Sequence, residues 1–218
     1  NDEDASSDWD PYNDGDFGPV QQDARIAAVR EAFEESGLLL ARHADKRGPG
    51  ATLVGPEISE KLAPHRGAVD RQEESFLELI RDNGLVLALD SLVHFGHWIT
   101  PEMMPKRFDT HFYLAPAPRD QIAAHDGRET TDAVWLGAQE ALDMEVAGKA
   151  TIIFPTRMNL VKLARSTSVA EAAERFGAEE VVMVLPYAGK TEAGEPCLFI
   201  PEEAGDGQTV ELLSRVNV

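Results

Sequence analysis

Cysteine is nearly absent from this chain. Cys197 is the only one among 218 residues, which excludes an internal disulfide framework and a zinc site built on cysteine pairs. A reduced, cytoplasmic setting is therefore expected. Long apolar runs are missing as well: no stretch of about 18 apolar residues occurs, so we expect no membrane-spanning segment.

Basic residues are also scarce. Twenty Lys and Arg stand against 39 Asp and Glu, which gives a formal net charge of −19. Nucleic acids and anionic membrane surfaces need a basic footprint on the protein, so neither is an expected partner. For the same reason, an anionic phosphate substrate would depend on bound metal and a few local Arg or Lys residues. With 43% hydrophobic residues, the chain can build one sizeable core, and we predict a single domain over residues 1–218.

The N-terminal segment 1–22 is acidic. It holds seven carboxylates, no Lys or Arg, and turn-forming Pro and Gly residues, a composition that predicts a solvated loop. The chain opens with Asn1 and has no initiating Met. We therefore expect that residues are missing upstream, and that the first strands of the fold are among them.

The stretch 25–40 is predicted to form an amphipathic helix. Successive residues turn by about 100°, so an apolar face and a carboxylate face lie on opposite sides. The apolar face holds Ile26, Val29 and Phe33, and the other face holds Glu31, Glu34 and Glu35. Carboxylates at these spacings repel by roughly 0.2–0.5 kcal/mol per pair. A divalent cation would reverse the sign of that interaction.

The ends of this helix and its internal pairing can be predicted too. Asp23 is a plausible N-cap, the helix runs to about Ser36, and Gly37 permits a left-handed C-terminal turn. Arg30 lies four residues before Glu34, the spacing of an ion pair that would orient the carboxylate. For an arbitrary Glu-rich helix, a solvated acidic face is the favoured interpretation. Three carboxylates could instead supply oxygen ligands to magnesium.

At these residues the sequence resembles a known family. Arg30-Glu31-Ala32-Phe33-Glu34-Glu35-Ser36-Gly37-Leu38 matches the second half of the Nudix box at every fixed position. The first half does not match, because Asp16 and Gln22 stand where Gly and Glu are required. Membership in the Nudix hydrolase superfamily implies an α/β (α+β) fold with a mixed sheet sandwiched between helices. It also implies hydrolysis of a nucleoside diphosphate linked to another moiety.

Two later segments resemble one branch of that superfamily, the relatives of the mammalian peroxisomal acyl-CoA diphosphatase. They are Trp98-Ile99-Thr100-Pro101 and Arg107-Phe108-Asp109-Thr110-His111-Phe112. In this branch an insertion separates the two halves of the box, and the acidic segment 1–22 would be that insertion. The resemblance covers about residues 24–165, and residues from about 187 to 218 would be a C-terminal extension. It implies a small-molecule diphosphate substrate, coenzyme A or acyl-CoA.

The resemblance also implies roles for individual residues. The magnesium or manganese ligands would be Glu31, Glu34 and Glu35, with Glu34 also counted as catalytic. Arg30 would orient the acids. Glu129, in a turn before a strand with Trp135, is the candidate general base, although an ordinary exposed loop acid fits it equally well.

Three further residue types remain open to two interpretations. Arg107 could contact phosphate or form a salt bridge at a strand end. His94 and His97 have a spacing that can bind metal, but an odd separation on a strand points side chains to opposite faces, which favours packing or surface roles. Trp98 is expected in the core rather than as a base-stacking platform.

The remaining periodicity predicts a mixed order of helices and strands. Predicted helices are 58–62, 72–81, 138–147, one from Phe154, and 168–176 with a Ser168–Glu171 capping box. Predicted strands are 38–41, 85–93 with an interruption at Asp90, 107–114, 132–136, 181–185, 197–200 and 210–213.

Two alternatives to the coenzyme A substrate stay open. The same reaction could act on nucleotide sugars, dinucleotides or NADH. The interrupted box also fits a non-catalytic ligand-binding module. A homodimer is compatible with the sequence, which does not decide the oligomeric state.

Overall fold

A computed structural model describes residues 18–48, 50–121, 123, 133–205 and 209–216. The chain divides into two compact units. The first comprises Asn1–Leu92 with Ala115–Val134, and the second comprises Val93–Leu114 with Trp135–Val218. The single domain expected over residues 1–218 stays a prediction. No helix in the described part of the chain has the length and apolar character that a bilayer crossing needs.

The first unit is mainly helical. Its helices and strands are α1 (Pro19–Ser36), β1 (Ala41–His43), α2 (Pro56–Leu62), α3 (Arg66–Asp70), α4 (Phe76–Asp82) and β2 (Leu85–Leu87). The strands β1 and β2 pair antiparallel, with Ala41 opposite Leu87. A 3₁₀ turn, Leu89–Ser91, follows β2 and accounts for the interruption predicted at Asp90.

The apolar face of α1 forms part of this unit's core. Val29 and Phe33 are fully buried, and the Phe33 ring lies 5.7 Å from that of Phe76 on α4. Ile26 is half-buried. Burying aliphatic and aromatic side chains on one face stabilises a helix by roughly 1.5–3 kcal/mol per large side chain. The predicted burial of the apolar face is therefore confirmed for Val29 and Phe33, whereas Glu34 of the predicted carboxylate face is buried as well.

The helix α1 starts earlier than predicted. Its N-cap is Gly18 and Pro19 occupies the first turn, where the fixed φ of proline suits a helix and its missing N–H has no intrahelical partner to lose. Asp23 is exposed inside the helix, so the predicted cap is wrong. The predicted end is confirmed: Gly37 has φ +73° and donates its N–H to the Phe33 carbonyl at 3.0 Å.

The second unit contains two small sheets and several helices. Its elements are β3 (Val93–Ile99), β4 (Asp109–Leu114), α5 (Ala138–Val146), α6 (Phe154–Leu163), α7 (Val169–Ala178), β5 (Met183–Val184), β6 (Tyr187–Lys190), β7 (Pro196–Phe199), α8 (Glu202–Gly205) and β8 (Val210–Leu212). One sheet is mixed, because β3 pairs antiparallel with β4 and parallel with β5. The other, β6-β7-β8, is antiparallel.

Aromatic residues hold the second unit together. Trp98 is 4% exposed and meets Phe154 edge to face, with ring centroids 5.5 Å apart. A second cluster forms where Phe95 on β3 meets Phe176 on α7 at 5.4 Å. The expectation that Trp98 belongs to the core is confirmed. Cys197 is buried in β7 as a free thiol.

Several predicted elements differ in the structure. The strand predicted over 38–41 shares only Ala41 with β1, and the strand predicted over 85–93 ends at Leu87, with a separate strand from Val93. Residues 133–136 form no strand, and Trp135 is 70% exposed, because alternating apolar residues make a strand only when a neighbouring strand pairs with them. The helix predicted from Gln72 begins at Phe76, where the Ser75 hydroxyl accepts the N–H of Glu78. Gln72 itself has φ +58°, which is incompatible with a right-handed helix. The Ser168 cap of α7, bonded to the Glu171 N–H, is confirmed.

Candidate active site

The acidic face of α1 contains a well-formed ion pair. Arg30 Nη1 donates to Glu34 Oε1 and Oε2 at 2.7 and 2.6 Å, as the i,i+4 spacing predicts. Arg30 Nη2 lies 3.5 Å from Glu31 Oε1. Glu34 is 8% exposed, whereas the Glu31 side chain is 60% exposed. The guanidinium therefore fixes the buried acid firmly and the exposed one weakly.

The three glutamates fit a hard divalent ion by donor type. Each supplies carboxylate oxygens, which Mg²⁺ and Mn²⁺ prefer, and the bonds to Arg30 leave lone pairs available on Glu34. The carboxylate oxygens of the three glutamates do not converge on one point. Among the described residues, the group whose ligand atoms all lie within 4.8 Å of one another is a different one: His97, Asp109 and His111. Glu31 and Glu35 are exposed, so a rotamer change on ion binding would disturb little packing. Their ligand roles stay predictions.

Arg66 binds the C-terminal end of α1, a contact that no sequence pattern predicts. Its Nε and Nη2 donate to the Glu34 carbonyl oxygen at 3.2 and 2.9 Å. Carbonyls of the last helical turn lack intrahelical donors and carry the negative end of the dipole, so a cation there is stabilising. Glu34 is thus held at both ends, by Arg30 on its carboxylate and by Arg66 on its backbone.

We expect Gly37→Ala to destabilise the protein more than Gly84→Ala. Both glycines have positive φ, +73° and +64°, so each substitution carries the left-handed cost of about 1–2 kcal/mol. A Cβ at Gly37 would also lie 3.1 Å from Arg66 Nη1, whereas one at Gly84 would meet nothing within 4 Å. Urea denaturation of both variants measures the difference. Equal losses would show that Arg66 moves aside without weakening its bonds to Glu34.

The structure does not test the roles predicted for two other site residues, Glu129 and Arg107. Glu129 lies in 124–132, outside the described residues. Arg107 is exposed just before β4, and its Nε donates to the Thr100 carbonyl at 3.0 Å. That bond links the two ends of the β3–β4 connection, and a contact with phosphate stays a prediction.

The prediction that His94 and His97 point to opposite faces of their strand is wrong. A register shift lies between His94 and Gly96: His94 pairs with Tyr113, Gly96 pairs with Phe112, and Phe95 is the extra residue. An extra residue inverts the side-chain alternation. The two rings therefore lie on the same face, with centroids 6.3 Å apart, and both approach His111 of β4. The pKa of His111 is lowered by burial and then by the nearby His97.

The second unit also has an apolar pocket of about 400 Å³. Apolar side chains dominate its lining, and Lys106 is the charged residue at its wall. The lining includes Trp98, Phe108, Phe112 and Phe154. Lys106 Nζ lies 4.7 Å from the Phe108 ring centroid. Such a pocket suits an apolar group attached to an anionic one.

Comparison with known proteins assigns the family. Residues 7–163 match the sequence model described as the NUDT19 Nudix domain. The chain belongs to this Nudix family. The match begins inside the acidic N-terminal segment and ends at the last residue of α6, so the Nudix domain includes the acidic face of α1. The predicted α/β Nudix fold is confirmed.

Several proteins resemble this Nudix domain. The acyl-coenzyme A diphosphatases NUDT19 of Xenopus laevis and Homo sapiens are 27% and 28% identical, over 72% and 75% of the chain. A putative nudix hydrolase 7 of Caenorhabditis elegans is 30% identical over 65%. The matches span only 43%, 45% and 44% of those relatives. A crystal structure of a NUDIX hydrolase from Alicyclobacillus acidocaldarius superposes with a TM-score of 0.54 and 25% identity, covering 69% of this chain and 64% of that one.

Proposed function

We propose that this Nudix domain hydrolyses the diphosphate linkage of coenzyme A or an acyl-CoA in a metal-dependent reaction. The observation that carries the proposal is the double attachment of Glu34. Arg30 holds its carboxylate and Arg66 holds its carbonyl, so a buried acid is fixed in the motif that defines the family. The named activity of the NUDT19 relatives supports the substrate class.

The proposed mechanism assigns one task to each residue. Glu31, Glu34 and Glu35 would hold Mg²⁺ or Mn²⁺, which when bound neutralises diphosphate charge and lowers the pKa of a coordinated water. Arg30 orients the Glu34 carboxylate, because one guanidinium nitrogen donates to both of its oxygens. Glu129 would accept a proton from the water that attacks phosphorus. Arg107 would contact a phosphate oxygen.

The charge of the protein makes the cation important. With a formal net charge of −19, the chain repels a diphosphate at long range. Glu31 and Glu35, both exposed on α1, would add local repulsion to any substrate that approaches without a counter-ion. A divalent cation held by these acids would, together with Arg30, offset their negative charge, so substrate binding and metal binding would be coupled.

A substrate panel tests the proposal. We expect the full chain with MnCl₂ or MgCl₂ to release 3′,5′-ADP and 4′-phosphopantetheine products from CoA and its esters, measured by chromatography. NADH, a dinucleotide and a nucleotide sugar serve as comparison substrates in the same assay. Faster hydrolysis of one of these would reassign the substrate within the same chemistry. Absence of turnover on every compound would favour the ligand-binding module instead.

A further inference from the structure

Three of the six histidines in the sequence lie together on the strand pair β3–β4. His97 faces His111 directly across the pair, and their rings stack at 4.1 Å with planes 18° apart. Asp109 precedes His111 by two residues, so its side chain is on the same face. The bulge at Phe95 adds His94 to this group, with its ring 5.0 Å from that of His111.

The ligand atoms of this cluster converge. His97 Nε2 lies 2.6 Å from Asp109 Oδ1, and His111 Nε2 lies 3.7 Å from the same oxygen. All three ligand atoms are within 4.8 Å of one another. Ligands of a tetrahedral ion at bond lengths near 2.0 Å stand about 3.3 Å apart. The observed separations bracket that value, so small rotamer changes would place all three at bonding distance.

We propose that His97, Asp109 and His111 bind a divalent transition-metal ion, with Zn²⁺ as its probe. Two imidazoles and one carboxylate form a donor set that suits Zn²⁺ and its neighbours. Mg²⁺ prefers oxygen ligands in octahedral geometry and would not compete. The site therefore differs in chemistry from the carboxylate face of α1 and is independent of the proposed hydrolase function.

One bound ion would accept lone pairs from both imidazoles and from the Asp109 carboxylate. Only part of the cluster is covered: the side chains of His97 and His111 are 19% and 24% exposed, while that of Asp109 is 62% exposed. An ion could enter from solvent and retain a water as its fourth ligand.

His94 supports the proposed site from behind. Its Nε2 lies 3.1 Å from His111 Nδ1, the ring nitrogen that faces away from Asp109. His94 Nε2 also lies 3.1 Å from the Gly96 carbonyl oxygen, so it accepts the Nδ1 proton of a metal-bound His111 only after it gives up a hydrogen bond to that carbonyl. Histidine ligands usually have such a partner, and removing it typically lowers metal affinity about 10- to 100-fold. His94 is therefore a positioning residue.

Calorimetric titration of the full chain with Zn²⁺ tests the proposal, in excess MgCl₂ to occupy the carboxylate face of α1. We expect one tightly bound equivalent, and X-ray absorption showing imidazole nitrogens around the zinc. His97→Gln and His111→Gln should each weaken binding by more than about 100-fold, beyond the loss typical of a supporting partner. His94→Ala should weaken it by about 10- to 100-fold.

Two controls separate this site from the rest of the chain. His65→Ala removes a histidine of the first unit that pairs with Glu74 at 2.8 Å, and Glu34→Gln alters the carboxylate face. Both should bind Zn²⁺ as the parent protein does. The proposal is overturned if the parent protein binds no zinc, if its zinc spectrum lacks imidazole, or if His97→Gln and His111→Gln bind normally. The titration of the parent protein tests the proposal by itself, so the test does not depend on every variant folding.

Discussion

Glu34→Gln is expected to lower kcat by about 10³-fold on whichever compound of the substrate panel the parent protein hydrolyses. The amide has nearly the same shape as the carboxylate, so Arg30 can still donate to its oxygen and the packing around this 8%-exposed side chain is kept. What is lost is the negative charge that would hold the metal. Metal-ion stabilisation of a phosphoryl transition state is worth several kcal/mol, and each 1.36 kcal/mol is a factor of ten in rate.

Steady-state kinetics across a manganese titration checks this prediction. The control is Glu78→Gln, which changes an exposed acid on α4 in the same unit and should retain the parent rate. Circular dichroism should show equal helix content in both variants. A Glu34→Gln enzyme that keeps its rate and its manganese dependence would remove Glu34 from the proposed ligand set. The same kinetics with Glu31→Gln would then show whether an exposed acid carries the role.

The sequence predicted those parts of the candidate site that depend on local spacing. Arg30 and Glu34 pair because residues four apart lie one helical turn apart on the same face. Gly37 is left-handed because helices commonly end on a glycine in that conformation. Val29 and Phe33 are buried because their spacing defines one face. Each of these features is set by residues within about four positions along the chain, so the pattern and the structure agree.

Features that depend on distant partners were not predictable in the same way. Arg66 reaches the Glu34 carbonyl across 32 positions, and nothing near it in sequence marks that contact. The bulge at Phe95 is a property of the pairing between β3 and β4, and it reversed the expected direction of one histidine. The exposed segment with Trp135 shows the converse case, in which strand-like spacing has no described strand to pair with.

Asp90→Ala is expected to reduce the free energy of unfolding by about 3–5 kcal/mol. Asp90 interrupts the apolar stretch after β2 because it pairs with Arg42 of β1. Arg42 Nη1 donates to Asp90 Oδ1 at 2.5 Å, and Arg42 Nη2 donates to Asp90 Oδ2 at 3.1 Å. The Arg42 side chain is 3% exposed, and its Nε donates to the Ala51 carbonyl at 2.8 Å. Removing the carboxylate leaves a buried guanidinium without its counter-charge. Removing one partner of a buried ion pair destabilises a protein much more than replacing both partners by apolar residues.

Urea denaturation measures this effect, and the chain offers a matched control. Asp82→Ala also removes an aspartate bonded to an arginine, Arg81 Nε at 3.0 Å, but the Asp82 side chain is 66% exposed. Water solvates the remaining charge there, so little change in stability is expected. A double variant, Arg42→Met with Asp90→Leu, removes both buried charges and should recover much of the stability lost in Asp90→Ala. If Asp90→Ala instead matched Asp82→Ala, the guanidinium of Arg42 would have to reach water, and the pair would not be a stabilising element of the first unit.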